Sequence, residues 1–95
     1  MKELSNDPIL SNSARLGILL SLYVVRESTF ADLLRITELP KSSLFSHIQV
    51  LQDAGLVAVK RRFTVSGPRT FIRITEKGTD KVKGYLDVMR DFDQS

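Results

Sequence analysis

Four cationic side chains lie close together in the second half of the chain and could bind phosphate groups. Lys60, Arg61 and Arg62 are consecutive, and Arg69 directly follows a Gly-Pro pair. The segment 41–73 holds six cations and one acid, a net charge of +5, whereas the rest of the chain has a net charge of −2. A basic stretch on a nearly neutral body is typical of a phosphate-binding surface. A well-solvated, exposed hairpin would carry the same charges, so that alternative stays open.

A second set of candidate residues lies on the outward face of a helix predicted over 41–54. Leu44, Ile48 and Leu51 recur at helical spacing and predict its buried stripe. The opposite face carries hydroxyls, amides, one acid and one aromatic ring, and no Lys or Arg. Its residues are Ser42, Phe45, Ser46, Gln49, Gln52 and Asp53. Gln can hold adenine through two hydrogen bonds, and an apolar group can contact a thymine methyl. The alternative is an ordinary solvated face, which leaves Phe45 unexplained.

The residue types argue against catalysis and against a metal site. The chain has no Cys and one His, His47, so thiolate metal sites, disulfides and a Cys nucleophile are excluded. We interpret His47, at the edge of the buried stripe, as a residue that hydrogen-bonds within the chain or contacts phosphate. Neither a Ser-His-acid arrangement nor a Walker-type phosphate loop is evident. We therefore expect no enzymatic activity and no cofactor, and nothing in the sequence identifies a small-molecule effector.

The pattern of apolar residues predicts one small domain over 1–95, mainly α-helical with a small β-hairpin. Thr29 is placed to cap the second helix, Pro40 to end it, and Gly55 to end the third. The short connection between these two helices indicates a helix-turn-helix arrangement. Val65–Arg69 is predicted as the hairpin turn, and Thr75 as the cap of the last helix. The predicted elements are a loose lead-in over 1–8, helices over 12–26, 29–37 and 41–54, a hairpin over 56–75 and a C-terminal helix over 76–92.

The first and last helices carry more apolar surface than a domain of this size can cover. Eight of the ten residues from Leu16 to Val25 are apolar and surround the helix, and such a helix must be covered on all sides. The last helix has a narrow apolar seam at three- and four-residue steps. We therefore expect a homodimer formed through both helices. The residues predicted for its interface are Leu22, Val25, Val82, Tyr85, Leu86, Met89 and Phe92.

The sequence gives no indication of a membrane partner. The densest apolar run, Leu16 to Val25, is too short to cross a bilayer. It follows Arg15 and has no small-residue cleavage pattern after it, so a signal peptide is not expected. We expect a cytoplasmic protein.

Several short motifs, taken in order, resemble the compact winged-helix transcription regulators of the ArsR/MarR-like type. They correspond to the opening of that family's second helix, its recognition helix with the following Ala-Gly-Leu-Val, the wing tip and the entry to the last helix. The likeness covers roughly residues 14–86. The matching segments are Phe30–Leu34, Ser43–Ile48, Val50–Leu51, Asp53–Val57, Gly67–Thr70 and Ile74–Gly78.

The resemblance implies a homodimer that binds double-stranded DNA, with recognition helices in adjacent major grooves and wings on phosphates or the minor groove. We expect Arg62 and Arg69 to carry the phosphate contacts of the wing, with Arg61 nearer the body of the protein. Ser46 and Gln49 stand where family members often have Arg or Lys, which shifts the phosphate attraction towards the wing and Lys41. The residues expected to contact DNA are Lys41, Ser42, Ser43, Phe45, Ser46, Gln49, Lys60, Arg62, Arg69 and Thr70.

A winged-helix module that binds another protein is the alternative function. The fold alone does not decide between DNA and protein as the partner. The basic hairpin favours DNA, whereas an exposed Phe45 favours a protein partner.

Overall fold

The computed structural model describes the backbone of residues 9–94 and the side chains of residues 9–91. The predicted lead-in over 1–8 therefore lies outside the described residues. The order of elements confirms the predicted fold class, four helices with a hairpin, and adds one strand. The elements are α1 (Ser13–Val25), β1 (Glu27–Thr29), α2 (Phe30–Thr37), α3 (Lys41–Asp53), β2 (Val57–Thr64), β3 (Gly67–Ile74) and α4 (Glu76–Gln94).

The added strand is β1, which no pattern in the sequence indicated. It forms the edge of an antiparallel sheet with the strand order β1-β3-β2. Arg26, with a φ of 75°, turns the chain out of α1, and its carbonyl accepts a hydrogen bond of 3.0 Å from the Ile74 N–H. Glu27–Thr29 is too short to show an alternating pattern. Its extended conformation depends on pairing with β3, so local sequence could not indicate it.

The hairpin turn is shorter than predicted. β2 and β3 stay paired to Thr64 and Gly67, so only Val65 and Ser66 join the strands. Gly67, with a φ of 104°, absorbs the reversal, and Pro68 lies within β3. Pro is tolerated there because β1 pairs only with residues 71–73 of β3, so β3 has one neighbour at the tip. The predicted turn over Val65–Arg69 was wrong for its last three residues.

The core lies between the helices and the inner face of the hairpin. The predicted stripe of α3, Leu44, Ile48 and Leu51, is buried. Val57 and Ile72 of the hairpin are also buried, because alternate residues of a strand face the same side of the sheet. Each such side chain contributes about 1.5–3 kcal/mol on burial, so this shared core fixes α3 against the hairpin.

Two residues predicted for a dimer interface belong instead to this core. Leu22 of α1 and Val82 of α4 have no exposed surface. α1 packs against α4 within the chain. Both side chains belong to the same buried cluster. Leu22 and Val82 cannot reach a partner, which corrects the prediction for both. The side chain of Phe92 lies outside the described residues.

The connection between α2 and α3 has the geometry of a helix-turn-helix. The Thr29 hydroxyl accepts a hydrogen bond of 3.1 Å from the Asp32 N–H, which confirms the predicted cap of α2. Glu38 ends α2 in the left-handed conformation, with a φ of 56°. Pro40 is the N-cap residue of α3. The left-handed end of α3 falls at Gly55, with a φ of 77°, as predicted.

A tight junction joins the end of α3 to the start of α4. The Leu56 carbonyl accepts a hydrogen bond of 3.0 Å from the Thr75 N–H. The Thr75 hydroxyl donates to the Gly55 carbonyl at 2.7 Å and accepts from the Gly78 N–H at 3.0 Å, which confirms Thr75 as the cap of α4. A Cβ atom at Gly78 would overlap the Leu56 carbonyl oxygen. The absence of a side chain at residue 78 therefore lets α4 lie directly against the backbone that follows α3.

We expect Gly78→Ala to destabilise the protein by about 1–3 kcal/mol, because the added methyl group must displace packed backbone. Gly84→Ala is the matched control, since a Cβ there meets no atom within 4 Å. The control should be neutral or stabilising by up to about 1 kcal/mol through helix propensity. Urea unfolding followed by circular dichroism, at one fixed protein concentration, measures both changes. Equal stability of the two variants would contradict the close approach.

Candidate nucleic-acid interface

The outward face of α3 presents the predicted base-reading residues to solvent. Ser42, Ser46 and Gln49 are exposed, and Ser43 is half-buried. The ring of Phe45 is 62% exposed, so it is not part of the core. Ser42, Phe45, Ser46 and Gln49 recur at three- and four-residue steps, about one helical turn, which puts them on one side of α3, opposite the buried stripe. This face is free to enter a groove of a nucleic acid.

A cleft beside this face brings distant parts of the chain together. It has a volume of about 920 Å³ and lies between the first turns of α2 and α3 and strand β3. Thr70 is the hairpin residue in its wall, and Phe45 the most exposed of its apolar residues. The side chains that line it are Phe30, Lys41, Ser42, Phe45, Ser46 and Thr70.

The N-terminal end of α3 points its free N–H groups towards the same cleft. Pro40 is the N-cap and makes no side-chain hydrogen bond to them. Lys41 follows and is exposed. The positive end of the helix dipole and the Lys41 ammonium thus add at one place, which favours a phosphate group there.

The register of the hairpin divides its cations between two faces. Arg62 pairs with Arg69 and Lys60 with Phe71, which puts these residues on the outer face of the sheet. Arg61 pairs with Thr70 and therefore lies on the inner face, on the side of α3. All four cations are exposed. Arg61, expected nearer the body of the protein, thus lies on the side of the cleft of α3.

Arg62 already has partners within the chain. Its guanidinium lies 2.8 Å from the Glu27 carboxylate and 3.8 Å from the centre of the Phe71 ring. Glu27, Phe71 and Arg62 lie on the outer face, one on each strand, along a diagonal in which each is offset by two residues from the next. By contrast, no ion pair of Arg61 or Arg69 occurs within the described part of the chain. Arg62 is therefore the least available cation of the wing, which sequence spacing alone could not reveal.

A separate apolar surface lies on α1 and α4. Val24 and Val25 are exposed near the end of α1, and Leu86 and Met89 on α4. Tyr85 is half-buried and packs against the core. Because α1 and α4 pack on each other, a partner could cover both helices.

The described residues give no structural support for other kinds of site. Among residues 9–91, no three His, Cys, Asp or Glu side chains come close enough to hold a metal ion. His47 is half-buried on α3. None of the helices in the described part of the chain has both the length and the apolar character needed to cross a bilayer.

A helix-turn-helix followed by a two-stranded wing and a packed C-terminal helix defines the winged helix class. The family model described as "Winged helix DNA-binding domain" matches residues 14–92. The chain belongs to this family. A comparison with curated proteins found no match.

Solved structures of transcription regulators share the fold. The chain is 32% identical to a transcriptional regulator homologue from Pyrococcus horikoshii OT3, with a TM-score of 0.89, over 98% of this chain and 92% of that one. A MarR family regulator from Silicibacter pomeroyi has 24% identity and a TM-score of 0.71, over 84% of this chain and 52% of that one. An ArsR family regulator has 18% identity and a TM-score of 0.63, over 92% and 90%. These likenesses confirm the fold that the resemblance to ArsR/MarR-like regulators implies.

We expect Glu27→Gln to raise the affinity for duplex DNA, because it releases the Arg62 guanidinium. The slope of log affinity against log salt should steepen by about 0.9 for each phosphate that Arg62 then reaches. Salt titrations on a random-sequence duplex measure this slope. Asp87→Asn is the control, since it frees Arg90 from an equivalent exposed pair on α4 with the same change of net charge. If both variants bind alike, Arg62 does not approach the phosphates.

Proposed function

We propose that the protein is a sequence-specific transcription regulator that binds double-stranded DNA as a homodimer. The observation that carries this proposal is the juxtaposition, in a winged helix DNA-binding domain, of the exposed α3 face with two wing cations, Arg61 and Arg69, that form no ion pair among the described residues. α3 enters the major groove, and the wing lies on phosphates or in the minor groove. Enzymatic activity has no support, since the family and the structural neighbours are DNA-binding domains and transcription regulators.

Base recognition is assigned to the exposed side of α3. Gln49 can hold adenine through its amide, and the Phe45 ring can contact a thymine methyl group. The hydroxyls of Ser42 and Ser46 are short enough to let the helix lie deep in the groove. We therefore expect a site with A·T pairs in each half, the half-site centres separated by about 10–10.5 base pairs or a multiple.

Phosphate contacts are assigned to the start of α3 and to both faces of the hairpin. Lys41 and the N-terminal end of α3 hold one backbone strand. Arg69, Lys60 and Arg61 hold the other from the hairpin. Arg61 takes a larger role here than its sequence position suggested, because it lies on the α3 side of the sheet. Arg62, held by Glu27, takes a smaller one.

The homodimer is assigned to the exposed apolar surface of α1 and α4. Val25, Leu86 and Met89 remain from the predicted set, with Tyr85 partly available, and Val24 adds to them. Covering these side chains removes apolar area from water, which is the main driving force of association. Two copies joined there would present two α3 helices to one duplex.

Binding to another protein is the second candidate, favoured by one observation. Phe45 is 62% exposed and lies beside the apolar wall of the cleft. The wing cations weigh against this candidate, because an apolar protein partner would leave them unused.

We expect Arg69→Ala to weaken binding to all duplex sequences alike, because a phosphate contact carries no sequence information. In a homodimer the change removes two contacts and should flatten the salt slope by roughly 1–2 units. Lys83→Ala is the control, an exposed cation on α4 away from the wing. The measurement is a titration of random duplex DNA at several salt concentrations. An unchanged slope for Arg69→Ala would favour the protein-binding candidate.

We expect light scattering at micromolar concentration to give about twice the chain mass of 10.7 kDa. Met89→Glu should shift the mass towards the monomer, since an unpaired carboxylate in an apolar interface costs on the order of several kcal/mol. Val65→Glu, the same kind of change at the exposed wing tip, should leave the mass unaltered. A monomeric wild-type protein would refute the dimer.

A further inference from the structure

The tip of the wing carries apolar side chains that no other described residue covers. Phe63 is 89% exposed and Val65 is fully exposed, the largest values among the large apolar residues of the described chain. Phe63 pairs with Pro68 across the hairpin, and Pro68 is exposed as well. The exposed Phe63 ring is not part of the core, because the core ends nearer the base of the hairpin.

The hairpin holds this tip in a defined position. β2 and β3 remain in register to Thr64 and Gly67. The Thr64 hydroxyl donates to the Gly67 carbonyl at 2.8 Å and accepts from the Ser66 N–H at 3.2 Å, which closes the turn. Phe63 is therefore presented on an ordered strand end.

The direction of Phe63 follows from the same register. Phe63, Arg61 and Val59 alternate on the inner face of the sheet, opposite Pro68, Thr70 and Ile72. Thr70 forms part of the cleft wall beside α3. The Phe63–Pro68 pair is therefore the next inner-face pair after the one that contains Thr70. Phe63 lies on the same side of the wing as α3 and its partner.

The positive charges around the tip indicate which class of partner it binds. No acid occurs between residues 54 and 75, and Arg61, Arg62 and Arg69 surround the apolar tip. An apolar protein surface would leave Arg61 and Arg69 without an acidic partner. A nucleic-acid groove offers both phosphates for the cations and stacked bases for an apolar wedge.

We propose that Phe63, supported by Val65 and Pro68, is a wedge that inserts into the minor groove and kinks the duplex. Such wedges partly unstack one base step and bend DNA by about 20–90° towards the major groove. The kink should fall at a flexible pyrimidine–purine step beside the site, because such steps unstack most easily. The neighbouring Arg61 and Arg69 would hold the phosphates on either side. This inference rests on the proposed DNA binding.

The test uses the full chain and a duplex taken from selection on random DNA. One duplex carries a fluorophore pair at its ends to report bending, and another has 2-aminopurine at flanking TpA steps to report unstacking. With the wild-type protein we expect a bend of about 20° or more and a rise in 2-aminopurine fluorescence. Phe63→Ala should lose both signals and bind about tenfold more weakly, a change of one unit in log affinity. Its salt slope should stay the same, because no phosphate contact is removed.

Two control variants separate the wedge from a general apolar effect. Phe63→Leu should retain most of the bend, since Leu also serves as a wedge. Ile36→Ala, at an exposed apolar residue of α2 that has no part in the proposed DNA or dimer contacts, should retain the bend and the affinity. Circular dichroism verifies that each variant is folded.

Three outcomes would overturn the inference. One is an unbent duplex with the wild-type protein bound. Another is a bend that Phe63→Ala leaves intact. The third is loss of binding to anionic lipid vesicles in Phe63→Ala with DNA bending unchanged, which would assign the tip to a membrane surface. Failure of the wild-type protein to bind any duplex would instead refute the proposed function, and the inference with it.

Discussion

The hydrogen bond from the Thr75 N–H to the Leu56 carbonyl holds the two halves of the fold in one arrangement. It lies where α3 ends, β2 begins, β3 ends and α4 begins. Gly78 keeps α4 against the same carbonyl, and the Thr75 hydroxyl ties Gly55 to this point. Because α3 ends and the hairpin begins at this junction, the junction and the shared core together set the angle between α3 and the wing. The cleft between them, and therefore the candidate interface, depends on that angle.

The wing cations lie on two different faces of the sheet and have different surroundings. On the outer face, Glu27 neutralises Arg62 and holds it over the Phe71 ring. This contact joins β1 to β2 across the central strand β3. It also leaves the Arg62 charge less available to a partner. Arg61 and Arg69 keep their charges for a partner, on opposite faces of the hairpin. A wing that is both rigid and cationic can approach a polyanion without reorganising.

Much of the fold could be predicted from the sequence because its signals are local. The stripe of α3, the alternation of β2 and β3, and the caps at Thr29 and Thr75 each depend on residues within one or two turns of each other. The outward residues of α3, such as Phe45 and Gln49, follow directly from that stripe, since a helix has only one opposite side. The basic character of the wing is likewise a property of consecutive residues.

The tertiary structure decided the pairings between residues that are distant in the sequence. β1 exists as a strand only because β3 lies beside it, and Arg62 meets Glu27 over a separation of 35 residues. The sequence pattern placed Leu22 and Val82 in a dimer interface. In the structure both side chains are buried in the core, where α1 packs against α4. The sequence by itself determined which residues were apolar, charged and helix-capping. Which of them stayed exposed was decided by packing, because burial depends on what the rest of the chain brings against each side chain.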